Sequence, residues 1–432
     1  MIFSRDIPIK KRVQVCIVGG GPAGCAGALA AARNGANVFL AEAHTCLGGL
    51  GTAGGVPLFM TFSDGINFVA DGIGREVLER MNAEDIASPM VNSINPEILK
   101  RLYEQMLLEA EVEFTFMTEL IGVEVNDNKV TYAIFNSKSG LFAVMADVFI
   151  DCTGDGDLAA RAGADFMFGD DNNAVMPSTL TSAWSGINWE KFRKSGANPR
   201  KILFEAFDDG IFRNNDPHHT GINQTGRTLG GGNMGHLFDL NPLDEKSLTD
   251  GLIEGRRQAV EFERYYKEYI PGYENVELTG TASLLGIRES RRIVGDYVLN
   301  LEDYKARQVF DDEIGRYSYP IDIHPATTSQ KDQNEFERLM KSLQYQSGES
   351  YGIPYRILTV KGFNNLLTAG RCISADRYLQ SSIRVMPGCF ITGQAAGVAA
   401  SLANASGDIR GIDVSELQHK LKKLGAFLPY IE

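Results

Sequence analysis

The sequence predicts an α/β fold, with a parallel sheet and a β-meander in one domain and a second, α+β domain inserted into it. Three observations lead to this prediction. An apolar run over residues 13–18 leads into a glycine-rich turn and then a helical run of small residues. Apolar segments separated by short turns follow over residues 120–150. The small-residue pattern returns after residue 365, so both ends of the chain are predicted to build the same domain.

The turn after the first predicted strand has the spacing of a dinucleotide-binding motif. Gly19 permits a tight turn, Gly21 allows a pyrophosphate to approach the backbone, and Gly24 allows close helix–strand packing. Pro22 suits a first helical turn, where its missing N–H is not needed. Glu42 follows Gly24 by 18 residues, where a carboxylate can accept hydrogen bonds from a ribose. A Rossmann-like dinucleotide site is therefore predicted here.

The composition disfavours several classes of partner. The chain of 432 residues has 42 basic and 55 acidic side chains, and its net charge of −13 argues against nucleic acid or an anionic membrane as a partner. No apolar run is long enough to span a membrane. About a dozen residues precede the first predicted strand, too few for a secretory signal, so a cytoplasmic protein is expected.

The six cysteines are scattered along the chain, and no two of them form a CxxC pair. This spacing is not that of a disulfide framework or of an iron–sulfur site. We therefore expect free thiols, and the sequence predicts no metal site.

Changes in composition divide the chain into three parts. Residues 1–164 are predicted to form the first part of the nucleotide-binding domain, and residues 351–432 its C-terminal part. Residues 165–350 contain more aromatic and charged side chains and four of the six histidines. They are predicted to form a separate, substrate-facing domain.

Secondary structure within these parts follows from the apolar spacing. Residues 72–110 are predicted to be helical. Three strands at 120–125, 130–135 and 142–150 form a meander, and the third leads into Thr153 and Gly154. A further strand is predicted at 366–369, followed by a helix that begins at Pro387.

Together these segments resemble a known family, the FAD-dependent oxidoreductases of the glutathione-reductase-like flavoprotein superfamily. Within it, the sequence is similar to the branch around the flavin module of heterodisulfide reductase. The resemblance rests on blocks that run in order along nearly the whole chain: residues 19–42, 47–49, 150–157, 286–293, 367–374, 382–388 and 393–397.

This resemblance implies that the dinucleotide is FAD. It places the first glycine turn at the pyrophosphate, Glu42 at the adenosine ribose, and the N-terminus of the last predicted helix at the pyrimidine edge of the flavin, where the helix dipole stabilises negative charge. The cofactor-binding residues that it implies are Gly19, Gly21, Pro22, Ala23, Gly24, Glu42, Gly48, Gly49, Thr153, Gly154, Gly370, Arg371, Arg384, Pro387 and Gly388.

Two features depart from the wider superfamily. Many of its members have an acid directly after the glycine at position 370, where it binds ribityl hydroxyls, but here that residue is Arg371 and the nearest acid is Asp376. The ribityl partner is therefore left open. Heterodisulfide reductase also has cysteine clusters for iron–sulfur centres beside its flavin module, which this chain lacks, so transfer of electrons to a heterodisulfide is not expected.

A flavin enzyme that removes a hydride and a proton from its substrate needs a general base, for which histidine is well suited. We predict His324 first, because alternation along a strand would place Asp322 on the same face and let its carboxylate orient the imidazole. His219 is the second candidate and His236 the third. The alternative for each is a hydrogen-bonded histidine with a structural role.

Residues 288–292 combine three arginines with Glu289. If they are helical, Glu289 would pair with Arg292. One interpretation is an anion clamp for a carboxylate substrate or a contact with the flavin edge. The other, which we favour, is a network of ion pairs between domains.

The sequence thus predicts an FAD-dependent oxidoreductase that dehydrogenates a small polar substrate, hydroxylated or sugar-like, by hydride transfer to flavin N5. The alternatives are an NAD(P)-dependent dehydrogenase and a flavin-binding sensor or scaffold without turnover. The expected partners are a small-molecule substrate and an electron acceptor whose identity the sequence does not give. Assembly into a homo-oligomer is left open.

Overall fold

The protein is described from a computed structural model, which covers residues 4–85, 90–325, 329–403 and 407–431. The strands are β1 (Ile9–Val18), β2 (Val38–Ala41), β3 (Glu113–Thr115), β4 (Glu119–Asn126), β5 (Lys129–Ser137), β6 (Gly140–Asp151), β7 (Phe166–Phe168), β8 (Ser182–Ser185), β9 (Ile222–Gln224), β10 (Gly230–Gly232), β11 (Glu277–Thr281), β12 (Arg291–Ile293), β13 (Glu313–Tyr317), β14 (Tyr351–Pro354) and β15 (Leu366–Thr368). The helices are α1 (Pro22–Arg33), α2 (Ile73–Glu84), α3 (Pro96–Glu109), α4 (Asp157–Ala162), α5 (Trp189–Ser195), α6 (Pro199–Asp208), α7 (Glu245–Tyr269), α8 (Leu301–Ala306), α9 (Gln330–Ser342), α10 (Arg377–Ile383), α11 (Met386–Ala403) and α12 (Val414–Lys423).

A seven-stranded sheet in the order β3-β2-β1-β6-β5-β4, with β15 also paired to β6, forms the main body of the molecule. The strands β3, β2, β1, β6 and β15 run parallel, whereas β4, β5 and β6 form the antiparallel meander. The meander strand β5 pairs with the first half of β6, up to Met145, and β15 pairs with its end, where Leu366 lies opposite Phe149. The predicted α/β fold with a parallel sheet and a meander is confirmed.

Helices α1 and α11 lie against each other and link the two ends of the chain. Small residues make this possible, because a Cβ at Gly393 would overlap the carbonyl oxygen of Ala23, and one at Gly397 would overlap that of Gly27. Nearly every residue of α11 is buried. The C-terminal segment thus packs against the N-terminal one, and the assignment of both to one nucleotide-binding domain stays a prediction.

A second, antiparallel sheet in the order β11-β8-β10-β9 lies in the middle of the chain. It has a separate aromatic core, which includes Trp184, Phe262 and Tyr266. Residues later in the chain do not belong to this aromatic core. Leu299, Tyr317 and others up to residue 358 pack in the same hydrophobic core as β1 and α11. The exact domain boundaries stay a prediction.

Two local predictions differ from the structure. Residues 321–325, which were expected to form a strand, have no regular secondary structure, and the preceding strand β13 ends at Tyr317. The segment around Arg288 is not helical either, since Arg291–Ile293 forms β12 and pairs with β7. The predicted helical region at 72–110 is divided into α2 and α3, with residues 86–89 of that region outside the described part of the chain.

Among the described residues, no single helix is long and apolar enough to cross a membrane. The pair α10 and α11 reaches that length and composition only when taken together, and a bend of 94° separates the two helices.

Candidate functional site

The turn between β1 and α1 forms a cradle of bare backbone. Gly19 has φ +96°, a conformation that favours glycine, and a Cβ there would lie 2.5 Å from the carbonyl oxygen of Cys152. A Cβ at Gly24 would overlap the carbonyl oxygen of Gly19. In contrast, nothing described lies within 4 Å of a Cβ placed on Gly21. The backbone at Gly21 is thus open to a ligand, as the motif predicts for a pyrophosphate.

The N-terminus of α1 points its donors toward this opening. Its N-cap, Gly21, has no side chain to cap the helix, and Pro22 occupies the first turn. The free N–H groups and the positive end of the helix dipole together form a site for phosphate groups. Ala23 is buried behind this turn, where Gly370 approaches it.

Glu42 follows the end of β2 and is 6% exposed. Its carboxylate accepts hydrogen bonds from the backbone N–H of Gly20 at 2.6 Å and of His44 at 2.8 Å. A carboxylate has lone pairs for about four hydrogen bonds, so capacity remains for ribose hydroxyls. The position of Glu42 beside the glycine turn suits the predicted role.

A second glycine segment lies beside the first. A Cβ on Gly49 would be 3.3 Å from the Cα of Gly21, and Gly48 donates its N–H to the carbonyl oxygen of Gly20 at 2.8 Å. Thr52 holds the segment by donating to the carbonyl oxygen of Leu47 at 2.5 Å. The two segments form adjoining walls of the same opening.

The end of β6 supplies the third wall. Thr153 donates its hydroxyl to the Asp151 carboxylate at 2.7 Å and accepts from the N–H of Asp157 at 2.9 Å. Burial raises the pKa of the Asp151 carboxyl to about 6, against hydrogen bonds that lower it. Gly154 lies against the Arg371 guanidinium, with 2.7 Å between a Cβ placed there and Nη2.

Arg371 itself is held by an acidic partner just after β6 and by a polar partner from the middle of the chain. Its Nη1 lies 2.8 Å from the Asp155 carboxylate and 3.2 Å from the Ser290 hydroxyl. The guanidinium thus faces the Thr153–Gly154 side of the opening.

The C-terminal segment closes the opening from the other side. Gly370 donates its N–H to the Thr392 hydroxyl at 3.1 Å, and a Cβ there would lie 3.0 Å from that of Ala23. Pro387 and Gly388 form the first turn of α11, where a Cβ on Gly388 would overlap the carbonyl oxygen of Ile383. The glycines, the uncapped helix and the carboxylate of Glu42 are the donor and acceptor set that an FAD requires, so the residues fit this cofactor.

A cluster of three imidazoles lies next to the segment that leads into α11. Nε2 of His236 and Nδ1 of His324 are 3.0 Å apart, and the His218 ring stacks on the His236 ring with 4.3 Å between centroids. We call His218, His236 and His324 the histidine cluster. His236 and His324 are buried, and His218 is half-buried.

Two carboxylates hold the histidine cluster from outside. Asp216 accepts the backbone N–H of His218 and of His236, each at 3.0 Å, and lies 3.2 Å from Nδ1 of His236. Asp322 lies 3.4 Å from Nε2 of His324. The predicted pairing of Asp322 with His324 is thus present, although a loop and not a strand produces it.

Two guanidiniums complete the surroundings. Arg384, two residues before α11, donates to the Asp322 carboxylate at 3.1 Å and to its carbonyl oxygen at 3.2 Å. Arg288 is buried and donates to the carbonyl oxygen of Pro177 at 2.7 Å and to the Thr179 hydroxyl at 3.0 Å. Burial and the charge of Arg384 lower the pKa of Arg288 to about 10, so it remains a cation at neutral pH.

The protonation states follow from burial and from these charges. Burial lowers the pKa of His218 to about 2 and, together with Arg288, that of His324 to about 3. Burial also lowers the pKa of His236, against the opposing effect of Asp216. Burial alone would raise the pKa of Asp322, but His324 and Arg384 outweigh it and hold that pKa below its ordinary value. The imidazoles are therefore neutral at pH 7, and Asp322 is ionised.

His219 lies elsewhere, in the aromatic core of the middle region. Its Nε2 is 3.0 Å from the Tyr266 hydroxyl, and its ring stacks on Phe262 at 5.6 Å between centroids. Burial lowers its pKa to about 4. These contacts fit the structural alternative better than a catalytic role.

His218 and Asp216 are not among the residues that the sequence predicts for the site. One local pattern connects these two residues. Asp216 precedes His218 by two residues, the spacing at which an Asp side chain accepts a backbone N–H further along the chain. Their proximity to His324 depends on the tertiary fold, and no spacing in the sequence indicates it.

Glu289 lies at the centre of the ion-pair network that we favoured for residues 288–292. Its carboxylate is fully buried and pairs with Arg292, with Nε of Arg377 at 3.0 Å and with the N–H of Met176 at 3.0 Å. Arg291 pairs with Asp157 at 2.9 Å. These pairs join the middle region to α4 and α10.

The fold and the cradle define a flavin-dependent oxidoreductase of the Rossmann type. The chain belongs to the family described as FAD dependent oxidoreductase, which it matches over residues 14–421. FAD is the cofactor, and the protein is an FAD-dependent oxidoreductase. The finer branch around the flavin module of heterodisulfide reductase stays a prediction. No curated protein matches the sequence.

Solved structures with a similar fold include a geranylgeranyl bacteriochlorophyll reductase-like protein from Thermoplasma acidophilum, at 13% identity, with a TM-score of 0.46 and coverage of 96% of this chain and 83% of that chain. The flavin-dependent brominase Bmp2 gives the same values. The myxobacterial chondrochloren halogenase CndH is 10% identical, with a TM-score of 0.45 and coverage of 96% and 79%.

Proposed function

We propose that the protein dehydrogenates a small polar substrate, hydroxylated or sugar-like, with hydride transfer to FAD and with the proton handled by the histidine cluster. When bound, FAD supplies N5 of the flavin as the acceptor of a hydride, which carries two electrons. The contributions of the chain are to bind the cofactor, to orient the substrate and to take up the hydroxyl proton.

The position of His324 carries this proposal. Asp322 connects the imidazole of His324 to Arg384, which lies two residues before α11. The N–H of Asp322 also donates to the Ser381 hydroxyl of α10 at 3.0 Å. The family resemblance places the N-terminus of α11 at the flavin. The imidazole of His324 is therefore suited to meet a substrate that lies over the flavin.

With a pKa of about 3, the neutral His324 is a weak base, so it would take up the hydroxyl proton as the hydride leaves, when that hydroxyl becomes strongly acidic. A hydroxyl proton that passes to His324 would create an imidazolium between Asp322 and His236. The ionised Asp322 would stabilise this charge and fix the ring orientation. Arg384 in turn holds Asp322, so it acts as a positioning residue for the base.

Polar groups around the cluster favour a hydroxylated substrate. Nε of Arg384 is buried and has no hydrogen-bond partner among the residues described, so it is a donor available to an oxygen atom. The Arg288 guanidinium contributes positive charge in the same enclosed region. Substrate oxygens would satisfy donors that are otherwise left unpaired.

An anaerobic substrate panel tests the proposal. The FAD-loaded protein is mixed with polyols, sugars and hydroxy acids, and loss of the visible absorbance of oxidised flavin is followed by stopped flow. At least one hydroxylated compound should bleach the flavin. The rate for His324→Gln should fall by about 100-fold or more. The matched control is His419→Gln, since His419 is an exposed histidine on α12.

Failure would take one of two forms. If FAD binds but no compound of the panel bleaches it, the sensor alternative is favoured and the proposal is contradicted. If bleaching occurs at an equal rate in wild type and His324→Gln, the substrate class stands but the assignment of the proton acceptor is wrong.

A further inference from the structure

We propose that His218, His236 and His324 form a binding site for a divalent transition-metal ion. The sequence predicted no metal site, because the three histidines are far apart along the chain and have no ligand spacing. In the structure, one ligand nitrogen from each of the three lies within 4.8 Å of the other two. This metal site does not depend on the proposed reaction.

The distances are close to those of a three-histidine site. Zinc–nitrogen bonds of about 2.0–2.1 Å in a tetrahedron separate two ligand nitrogens by roughly 3.3 Å. Nε2 of His236 and Nδ1 of His324 are already 3.0 Å apart. Nε2 of His218 is buried without a hydrogen-bond partner in the described chain. Because the His218 ring is stacked on that of His236, it must rotate to direct this nitrogen at the ion.

The outer nitrogens of two of these rings face carboxylates. Nδ1 of His236 lies 3.2 Å from Asp216, and Nε2 of His324 lies 3.4 Å from Asp322. A carboxylate on the far nitrogen is the usual partner of a metal-binding histidine, because it fixes the tautomer and strengthens the ligand. Asp216 also accepts the backbone N–H of His218 and His236, so it holds two of the three ligands in place.

The charges around the site favour an anionic fourth ligand. The two carboxylates of Asp216 and Asp322 balance the two guanidiniums of Arg288 and Arg384. Three neutral imidazoles leave the charge of a divalent ion uncompensated. An ion there should therefore bind hydroxide or an ionised substrate oxygen at its open position. Imidazole ligands suit zinc, iron, nickel and copper ions, and cobalt can serve as a coloured probe.

The site would refine the proposed function, and this part of the inference rests on it. A substrate hydroxyl at the open position would have a lower pKa and release its proton to solvent. The C–H hydride would go to FAD as the carbonyl forms, which balances protons and electrons. In this case the histidines would hold the metal ion, and the ion would act as the Lewis acid that lowers the pKa of the substrate hydroxyl. His324 would then not take up the proton itself.

Cobalt binding to the full-length, FAD-loaded protein tests the metal site without any turnover. The protein is first dialysed against a chelator and then titrated with CoCl₂, with the d–d absorption measured against protein without cobalt. Wild type should bind one Co²⁺ per chain. His218→Gln and His324→Gln should each lose at least 100-fold in affinity, and Asp216→Asn about 10- to 100-fold.

Two controls separate loss of ligand from loss of fold. His419→Gln changes an exposed histidine and should bind Co²⁺ as wild type does. The Tm of each metal-free variant, with FAD bound, should stay within a few degrees of wild type. Where His218→Gln unfolds, His218→Asn takes its place, because it keeps a polar side chain of smaller size.

The inference is overturned if wild type binds no Co²⁺ at millimolar concentration, or if His218→Gln and His324→Gln bind as tightly as wild type. Substrate oxidation by a protein that binds no Co²⁺ would reject the metal site and leave the proposed reaction standing. Stoichiometric Co²⁺ binding without any flavin reduction would support the site and reject the proposed reaction.

Discussion

Gly397 of α11 lies directly on the carbonyl oxygen of Gly27 in α1, with no space between them for a Cβ atom. One turn earlier, Gly393 has the same relation to the carbonyl oxygen of Ala23. The two helices come from opposite ends of the chain and both adjoin the FAD site. Their close approach fixes the position of the first turn of α1 relative to the start of α11.

Gly397→Ala should therefore destabilise the protein by about 1–3 kcal/mol or more, because an added methyl group in a packed interface forces backbone movement. Urea unfolding followed by circular dichroism measures the change. Gly280→Ala is the control, since a Cβ on Gly280 meets nothing described within 4 Å. Equal stability of the two variants would contradict the packing.

Gly21→Ala should weaken FAD binding and leave the fold intact. A Cβ at position 21 meets no protein atom within 4 Å, so the methyl group would instead occupy space that the pyrophosphate needs. We expect a rise of at least 10-fold in the Kd for FAD, measured by quenching of flavin fluorescence, with an unchanged Tm of the apoprotein. Gly280→Ala again serves as the control, and FAD affinity like that of wild type in Gly21→Ala would place the phosphates elsewhere.

Glu289→Gln should be strongly destabilising. The fully buried carboxylate pairs with both Arg292 and Arg377, so its neutralisation leaves guanidinium charge without compensation. Removal of one partner of a buried ion pair costs about 3–5 kcal/mol. Asp250→Asn, in the exposed pair with Lys246, should cost under about 1 kcal/mol in the same urea titration. Similar losses in the two variants would be inconsistent with a buried network.

Glu313 should contribute a stabilisation that decreases as pH rises toward neutrality. Burial raises the pKa of its carboxyl from 4.5 to about 7, against the attraction of Arg316. The folded state then retains a proton that the unfolded state releases, so the stabilisation is complete below pH 4.5 and is lost as pH rises through about 7. The buried histidines act in the opposite direction, because their lowered pKa values make the folded state more stable as pH rises. The contribution of Glu313 is therefore measured as the difference between wild type and a variant, with free energies of unfolding determined between pH 4 and 8.

Glu313→Gln should lack this contribution, because the amide does not titrate, so its free energy of unfolding relative to that of wild type should change between pH 4.5 and about 7. The exposed Glu119 provides the control, and Glu119→Gln should keep the profile of wild type. A Glu313→Gln profile that runs parallel to that of wild type across the same window would assign the effect to another group.

Asp322→Asn should slow flavin reduction by about 10- to 100-fold while FAD stays bound, because the amide no longer stabilises charge on His324. Single-turnover reduction by a substrate from the panel measures the rate. The substrate concentration that gives half of the maximal rate should change less than the maximal rate itself, since Asp322 acts through His324. An unaltered maximal rate would argue against this arrangement.

The cofactor domain could be predicted from sequence because its constraints are local. Gly19, Gly21 and Gly24 serve one turn, and Glu42 lies at a distance fixed by one helix and one strand. The meander was also predictable, because short turns separate strands of alternating pattern. In both cases, the residues that cooperate lie close together in the chain.

The histidine cluster could be predicted only in part. Asp322 and His324 are two residues apart, so their pairing was within reach of a local argument, although the strand that was invoked is absent. His218 and His236 join them through long-range packing of a region without a repeating pattern. His219, the residue after His218, points into the aromatic core. Nothing in the local sequence indicates which of these two histidines joins the cluster.

The pairing of β15 with β6 also has a consequence for biosynthesis. Leu366 pairs with Phe149, so a ribosome that adds about 5–20 residues per second needs roughly 10–40 s between making the two partners. During that time the end of β6 has an unpaired edge, which is a hazard for aggregation. The nascent glycine turn can fold early, but the FAD site is complete only after α11 has left the ribosome. Expression with ample riboflavin should thus raise the yield of folded holoprotein.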